Sequence, residues 1–90
     1  MNGSKALEEF MWYVYVLRNQ QRQLYIGSTN NLKRRIDEHN SGRTQTTRIL
    51  GPFRLEVYVA IPDEARARIL ETYFKSGSGR AVLRKHILQQ

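Results

Sequence analysis

Two aromatic-rich stretches near the start of the chain decide its fold: WYVYVL at residues 12–17 and QLYIG at residues 23–27. Both are dense in aromatic and β-branched residues, which favour strands. The polar segment at residues 18–22 is short enough for a turn, so the two strands are predicted to form an antiparallel hairpin. Alternation gives the first strand two faces, with Trp12, Val14 and Val16 on one and Tyr13, Tyr15 and Leu17 on the other.

A helix and a third strand follow the hairpin. The cap-forming residues 28–31 precede a predicted helix at residues 31–40, which carries Leu32 and Ile36 as its apolar stripe. A polar, basic loop at residues 43–52 leads to a strand at residues 53–61. Alternation predicts that this strand turns four apolar side chains to one side, Leu55, Val57, Val59 and Ile61.

Two further helices are predicted at the carboxyl end. Asp63 and Glu64 suit the start of the first, whose apolar stripe is predicted to be Ile69, Leu70, Tyr73 and Phe74. The segment SGSG at residues 76–79 is predicted to separate it from a last helix at residues 80–88, with Val82, Leu83 and Ile87 facing inward. The predicted order is β-β-α-β-α-α, an α+β fold with a small three-stranded antiparallel sheet flanked by helices.

Length and composition exclude several classes of protein. Ninety residues suit one small domain. We expect this domain at residues 11–90, with residues 1–10 as a flexible leader or a remnant of cloning. The chain has no cysteine, which excludes disulfides and thiolate metal sites. No apolar run approaches the ~20 residues of a membrane span, so we expect a cytoplasmic or nucleoid-associated protein without a membrane partner.

The charge of the chain favours a polyanionic partner. Fifteen lysines and arginines against eight aspartates and glutamates give a formal net charge of +7. A domain this basic most often binds nucleic acid, and arginine suits bidentate phosphate contacts. The alternatives at this point are a basic protein without such a partner and a binder of anionic membranes. Phosphate contacts are predicted for ten residues: Lys33, Arg34, Arg43, Thr46, Thr47, Arg48, Lys75, Arg80, Arg84 and Lys85.

Three sets of side chains offer chemistry, and each has a plainer alternative. Tyr15 and Tyr25 meet across the hairpin if the register allows, and a phenol becomes a base if its pKa falls; the alternative is aromatic packing. Arg35 and His39 share a helical face and suit phosphate chemistry; the alternative is a solvated basic face.

Glu71 is the third candidate. It lies in a helix whose neighbouring turns carry core residues, so its carboxylate is predicted to face the sheet. One carboxylate suffices for Mg²⁺ when a substrate brings its own phosphates. The alternative is a surface ion pair with Arg68 or Lys75, at i−3 and i+4.

Taken together, these residues resemble the GIY-YIG nuclease domain, especially small stand-alone members related to the amino-terminal nuclease domain of the excision-repair protein UvrC. The resemblance covers about residues 12–85. It rests on WYVYVL, on LYIGSTNNLKRRIDEHNSG at residues 24–42, on Glu71 and on Gly-Arg-Ala at residues 79–81. It implies a fold that agrees with the element order above.

The resemblance also implies an activity: a single Mg²⁺ or Mn²⁺ ion supports cleavage of one DNA strand. Position by position, Tyr15 matches the first motif tyrosine, the general base or the group that positions the nucleophile, and Tyr25 matches the second. Gly27 is the motif glycine. Arg35 is the phosphate-stabilising arginine, His39 stands where relatives have Tyr or His, and Glu71 is the metal ligand.

The sequence departs from the family pattern at three positions, and the second and third of these departures keep a second function open. Tyr13 replaces the glycine of the first motif, Ser28 replaces a lysine of some repair members, and Leu83 replaces an asparagine of several relatives. The expected function is a metal-dependent endonuclease, structure-selective or non-specific, with a role in DNA repair or recombination. The alternatives are a catalytically weak or inactive nucleic-acid-binding module and a protein-interaction domain. We expect a monomer that binds DNA, with RNA left open, and that uses a protein partner for targeting.

Overall fold

The computed structural model describes residues 10–42, 48–49 and 51–88. The strands and helices follow one another in the predicted order. The three strands form one antiparallel sheet in the order β2-β1-β3. The predicted leader lies outside the described residues except for the exposed Phe10. The elements are β1 (Trp12–Arg18), β2 (Leu24–Thr29), α1 (Leu32–Asn40), β3 (Arg54–Ile61), α2 (Glu64–Lys75) and α3 (Gly77–Val82), followed by a π-helical turn (Leu83–Ile87).

The predicted hairpin is confirmed. Its register is defined by the residue pairs of the two strands and by the turn that joins them. Val14 pairs with Ser28 and Leu17 with Tyr25. Asn19 closes the turn because its Oδ1 accepts backbone hydrogen bonds from Gln21 and Gln23 at 3.0 and 2.8 Å. Among the described residues β2 is an outer strand of the sheet and pairs with β1 along one edge.

The two faces of β1 bury two separate apolar clusters, as the alternation predicts. On one face Val14 and Val16 pack with Ile26 and with Ala67, Phe74 and Leu83 of the carboxyl-terminal helices. On the other, Tyr15 and Leu17 pack with Phe53, Leu32 and Ile36, so that α1 covers this face. The sheet is therefore the middle layer between α1 and the α2–α3 pair.

The prediction that Leu55 shares a face with Val57, Val59 and Ile61 is wrong. Val16 pairs with Val57 but Leu17 pairs with Leu55, so Glu56 is an extra residue on β3 and forms a β-bulge. The bulge reverses the alternation, and Leu55 packs in the α1 cluster with Leu17. The carboxylate of Glu56 bridges Arg18 at 2.7 Å and Arg54 at 3.2 Å beside the bulge.

The predicted apolar stripe of α2 is also partly wrong. Ile69 and Tyr73 are 70% and 42% exposed, whereas Ala67 and Phe74 are buried. The inward face follows the helical spacing of residues 67, 70, 71 and 74, rotated by one position from the predicted stripe. Glu71 therefore lies on the inward face.

The break between the last two helices is one residue, not the four predicted. Ser76 ends α2, and its side chain caps α3 by accepting from the backbone N–H of Gly79 at 3.1 Å. A Cβ on Gly79 would collide with the carbonyl oxygen of Tyr73, which explains a glycine inside a helix.

The inward residues predicted for the last helix are correct for Leu83 and wrong for Ile87. Leu83 is fully buried, but Ile87 is 41% exposed and Leu88 packs against the core instead. The cause is the π-helical turn, in which the N–H of Leu88 donates to the carbonyl of Leu83 at 2.7 Å. None of the helices in the described part of the chain is long and apolar enough to cross a bilayer.

Candidate active site

A pocket of about 350 Å³ lies at the outer edge of β2. Five consecutive residues of that strand, 24–28, line it, so it reaches both faces of the sheet at the edge. α1 contributes Arg35 from one side, and α2 with α3 contributes the other wall. The remaining lining residues are Tyr15, Arg68, Glu71, Lys75 and Arg80.

Tyr15 reaches this pocket because its partner on β2 is a glycine. The side chain of Tyr15 is 1% exposed, and Tyr15 pairs directly with Gly27. A Cβ on Gly27 would lie 2.6 Å from the Cζ atom of Tyr15 and would collide with its hydroxyl. Glycine thus lets the phenol lie across the outer strand.

Arg35 and His39 both approach the Tyr15 hydroxyl. Arg35 Nε donates to it at 3.3 Å, and His39 Nε2 lies 3.3 Å away on the buried side. Their i, i+4 spacing on α1 places both on the face that covers the sheet, as predicted. Arg35 is held from outside by Glu38, whose Oε1 lies 3.0 Å from Nη1.

The surroundings shift the protonation of all three groups. Burial raises the pKa of Tyr15, although the hydrogen bond from Arg35 works in the opposite direction. Burial, and next the charge of Arg35, lower the pKa of His39. The hydrogen bond with Tyr15 is the main cause of a raised pKa for Arg35, which stays charged. These side chains therefore rest as a neutral phenol, a neutral imidazole and a guanidinium at neutral pH. The pKa of the Tyr15 phenol therefore does not fall, because burial outweighs the effect of Arg35.

Tyr25 lies diagonally across from Tyr15 on the neighbouring strand, and the two residues are not direct pairing partners. Leu17 is the direct partner of Tyr25, and the two phenol rings are 6.4 Å apart and nearly parallel, at 18°. Tyr25 also contacts His39, with ring centroids 4.6 Å apart, and Phe53 at 6.1 Å. Tyr25 thus supports the buried side of His39 and lines the pocket at the same time.

Glu71 reaches the pocket from the opposite side of the sheet. Its carboxylate accepts a hydrogen bond from Ser28 Oγ at 2.5 Å and pairs with Lys75 Nζ at 2.7 Å. The side chain is only 17% exposed. Burial alone would raise the pKa of Glu71, but the hydrogen bonds from Lys75 and Ser28 outweigh it and lower the pKa. Both the predicted orientation toward the sheet and the alternative ion pair with Lys75 are therefore present.

The pocket is positively charged around this one carboxylate. Its lining contains the cations Arg35, Arg68, Lys75 and Arg80, with Glu71 as the single acid. Sequence reasoning missed four lining residues, the polar Arg68 and Ser28 and the apolar Leu24 and Ile26. Arg68 was considered only as an ion-pair partner of Glu71. The i−3 spacing of Arg68 from Glu71 on α2 could have predicted that Arg68 lies near the pocket. No local spacing predicted that the Ser28 hydroxyl contacts Glu71.

The other predicted phosphate contacts do not line this pocket. Lys33 and Arg34 are exposed on the outer face of α1, beside a second, surface groove. Arg48 is exposed, as are Arg84 and Lys85 of the π-helical turn. Arg43, Thr46 and Thr47 lie outside the described residues. Of the predicted phosphate contacts, Lys75 and Arg80 are the two that line the pocket together with the candidate catalytic residues.

The residues that replace family motif positions occupy two different environments. Ser28 donates to Glu71 inside the pocket. Leu83 is fully buried in the core cluster with Val14 and Phe74, so its side chain does not face the pocket.

The donor set at Glu71 fits a hard divalent cation. A carboxylate and the Ser28 hydroxyl are oxygen donors of the kind that Mg²⁺ and Mn²⁺ accept, and Mg²⁺ sites often use one or two carboxylates with waters and phosphates. Within residues 10–42, 48–49 and 51–88 there is no cluster of three His, Asp or Glu side chains. A cation held by Glu71 would therefore need ligands besides carboxylates, such as substrate phosphates and water.

Comparisons with a family model and with known proteins identify relatives of this chain. The model of the GIY-YIG catalytic domain matches residues 11–85. The UPF0213 protein CPE1444 of Clostridium perfringens is 39% identical over 66 residues, which are 72% of this chain and 71% of that protein. A UPF0213 protein of Nitratidesulfovibrio vulgaris is 38% identical over 76 residues, covering 83% and 67%.

A solved structure supports the fold independently. The solution NMR structure of the UPF0213 protein BH0048 from Bacillus halodurans is similar, with a TM-score of 0.53 and 35% identity over 83% of each chain. The predicted α+β architecture is therefore confirmed, and the domain match indicates a nuclease with a nucleic-acid substrate. This chain belongs to the GIY-YIG family and is similar to its stand-alone UPF0213 members.

Proposed function

We propose that this protein is a divalent-metal-dependent endonuclease that hydrolyses a phosphodiester bond in one strand of DNA. The observation that carries the proposal is the meeting of Tyr15, Arg35 and Glu71 around one pocket, from both faces of the sheet. Four cations around a single carboxylate suit a phosphate backbone. A phenol, a guanidinium and a carboxylate in one pocket suit attack on phosphorus.

The reaction consists of an attack by water on phosphorus, in line with the bond that breaks. The water oxygen bonds to phosphorus, and the leaving oxygen departs with the electron pair of the broken bond and takes a proton from solvent. The oxygen of Tyr15, which lines the pocket, accepts the proton of the water as the phenol passes its own proton to His39. The phenol oxygen accepts from Arg35, so the phenol proton is directed at His39 Nε2, which accepts it when the ring proton is on Nδ1.

His39 acts through Tyr15 in this scheme. It is 1% exposed and absent from the pocket lining, so it contacts the phenol and not the substrate. Its lowered pKa keeps the imidazole neutral at neutral pH, so that a ring nitrogen is available as the acceptor, while the same shift makes the ring a weaker base. Arg35 lies where it neutralises charge on the phenolate and on the phosphoryl oxygens.

Glu71 and Ser28 would hold the divalent cation. When bound, such an ion neutralises charge on the phosphoryl and leaving oxygens. Glu71 is suited to this because its pKa is lowered, so the carboxylate is ionised at neutral pH. Ser28 fixes one of its oxygens from the neighbouring strand.

A nucleic-acid-binding module without cleavage is the second candidate. It is favoured by the raised pKa of Tyr15, which makes the phenol a weaker acid and hence leaves it protonated at neutral pH. It is also favoured by the buried Leu83, because no asparagine is available at that position. A role in repair, a likeness to UvrC, a monomeric state, a targeting partner and a cytoplasmic location stay predictions.

A labelled nicked or branched DNA duplex separates the two candidates. The protein is incubated with it in Mn²⁺ or Mg²⁺, with and without EDTA, and products are resolved on a denaturing gel. We expect single-strand product that EDTA prevents. A mobility shift without product would establish the binding module, and a labelled RNA of the same shape tests the nucleic-acid class.

A further inference from the structure

Lys75 forms the closest charge contact of the pocket carboxylate. Its Nζ lies 2.7 Å from Oε2 of Glu71, while Ser28 Oγ lies 2.5 Å from Oε1. Each carboxylate oxygen therefore has one partner, a hydroxyl on one side and an ammonium on the other. A cation that binds Glu71 through Oε2 must approach where the Lys75 ammonium lies.

The two partners of Glu71 differ in how firmly they are held. Ser28 belongs to β2, whose backbone pairs with Val14. Lys75 is the last residue of α2, and its side chain is 50% exposed against 17% for Glu71. A lysine side chain of this kind can turn away through its rotatable bonds without disturbing the core.

We propose that Lys75 is a positioning residue that competes with a divalent cation for Glu71. The ammonium holds the carboxylate aimed into the pocket, and it leaves Oε2 when the cation binds. The inference rests on the proposed function, because it assumes that Glu71 is the cation ligand. It extends that function by assigning to this chain an internal regulator of metal affinity.

Electrostatic repulsion explains why the Lys75 ammonium and a divalent cation would compete for Glu71 and would not bind it together. A monovalent ammonium and a divalent cation on one carboxylate repel each other, and Arg68 and Arg80 in the same lining already add positive charge. The pocket has no second carboxylate among its lining residues to accept the displaced ammonium. Lys75 therefore lowers the affinity of the pocket for metal while it orders the ligand.

A purely structural role for Lys75 predicts the opposite result. If the i, i+4 pair only orders the Glu71 side chain, its removal leaves the carboxylate less ordered and the affinity for metal unchanged or lower. If Lys75 competes, its removal raises the affinity. The sign of the change in Mn²⁺ affinity therefore distinguishes the two roles.

The test is the binding of Mn²⁺ alone to the whole protein, followed by the electron paramagnetic resonance signal of free Mn²⁺. The variants are Lys75→Met, Lys75→Gln and Glu71→Gln, together with the double variant Lys75→Met/Glu71→Gln. Arg66→Met is the matched control, because it removes a positive charge from the same helix at an exposed residue outside the pocket lining. Circular dichroism checks that each variant is folded.

We expect both Lys75 variants to lower the dissociation constant for Mn²⁺ roughly fivefold, the upper range for the loss of one partly exposed ion pair. Arg66→Met should leave it unchanged, and the double variant should bind no more tightly than Glu71→Gln. Unchanged or weaker binding by both Lys75 variants, with binding still dependent on Glu71, would overturn the inference and leave the proposed function standing. Tighter binding that persists in the double variant, or no binding in any variant, would overturn the metal site itself and the inference with it.

Discussion

The hydroxyl of Tyr15 lies across Gly27, its antiparallel partner on β2, in the space that a Cβ atom would occupy. This contact takes the phenol from the buried centre of the sheet to the pocket at its outer edge. It explains in physical terms why the second motif ends in glycine. Any larger residue would push the phenol out of place or push the outer strand away.

Gly27→Ala is therefore expected to impair both stability and cleavage. The added methyl group should cost about 1–3 kcal/mol of unfolding free energy, and the displaced phenol should lower the cleavage rate by about 10²-fold. Urea denaturation and a single-turnover cleavage assay measure the two effects. Gly77→Ala is the matched control, because nothing lies within 4 Å of its Cβ position and its φ is not positive. A Gly27→Ala protein as stable and active as wild type would contradict the close contact.

Arg35→Lys tests the guanidinium contact with Tyr15. Lysine keeps the charge but has no planar Nε–H group to donate to the phenol oxygen while Nη1 contacts Glu38. We expect cleavage to fall about 10²–10³-fold with a smaller change in DNA binding. Arg66→Lys, an exposed residue of α2 paired with Asp63, is the control. If Arg35→Lys weakens binding and cleavage by the same factor, the guanidinium acts in substrate binding and not in the reaction step, and if it changes neither, Arg35 contributes only charge.

His39 should make stability depend on pH. Because burial and Arg35 lower its pKa in the folded protein below the ordinary value of 6.5, the unfolded chain takes up a proton first as the pH falls. The contribution to stability is therefore complete above about pH 6.5 and is lost as the pH falls through the lowered value. Urea denaturation at pH 7.5 and pH 5 measures the difference.

His39→Phe should reduce this loss of stability at acid pH, since phenylalanine has no proton to bind. His86→Phe, at the other and exposed histidine, serves as the comparison and should keep the wild-type pH dependence. A His39→Phe protein with the full wild-type dependence would show that other groups cause it.

Local sequence patterns predicted the fold wherever a single element determines the outcome. The hairpin, the two faces of β1 and the end of α1 all follow from spacing and residue type. The bulge at Glu56 does not, because it depends on how β3 pairs with β1. The rotation of α2 by one position was equally hidden, since Ile69 and Tyr73 are as apolar as the residues that the sheet buries.

The candidate site also contains some contacts that local sequence patterns predict and others that depend on the tertiary fold. The spacing of Arg35 and His39 on one helix predicted that they meet, and both contact Tyr15. The contact of Ser28 with Glu71 joins residues 43 positions apart and has no local signal. The raised pKa of Tyr15 likewise follows from burial beneath α1, which the sequence alone does not measure.

Cleavage by Glu71→Gln is the most direct test of the account. Glutamine keeps the size of the side chain and can still bond to Ser28, but it removes the charge of the pocket's single acid. With a labelled nicked duplex and Mn²⁺, we expect the cleavage rate to fall at least about 10²–10³-fold while the fold is kept. Glu64→Gln, an exposed residue at the start of the same helix, should cleave as wild type does. A Glu71→Gln protein that cleaves at the wild-type rate would contradict the assignment of this pocket as the metal-dependent active site.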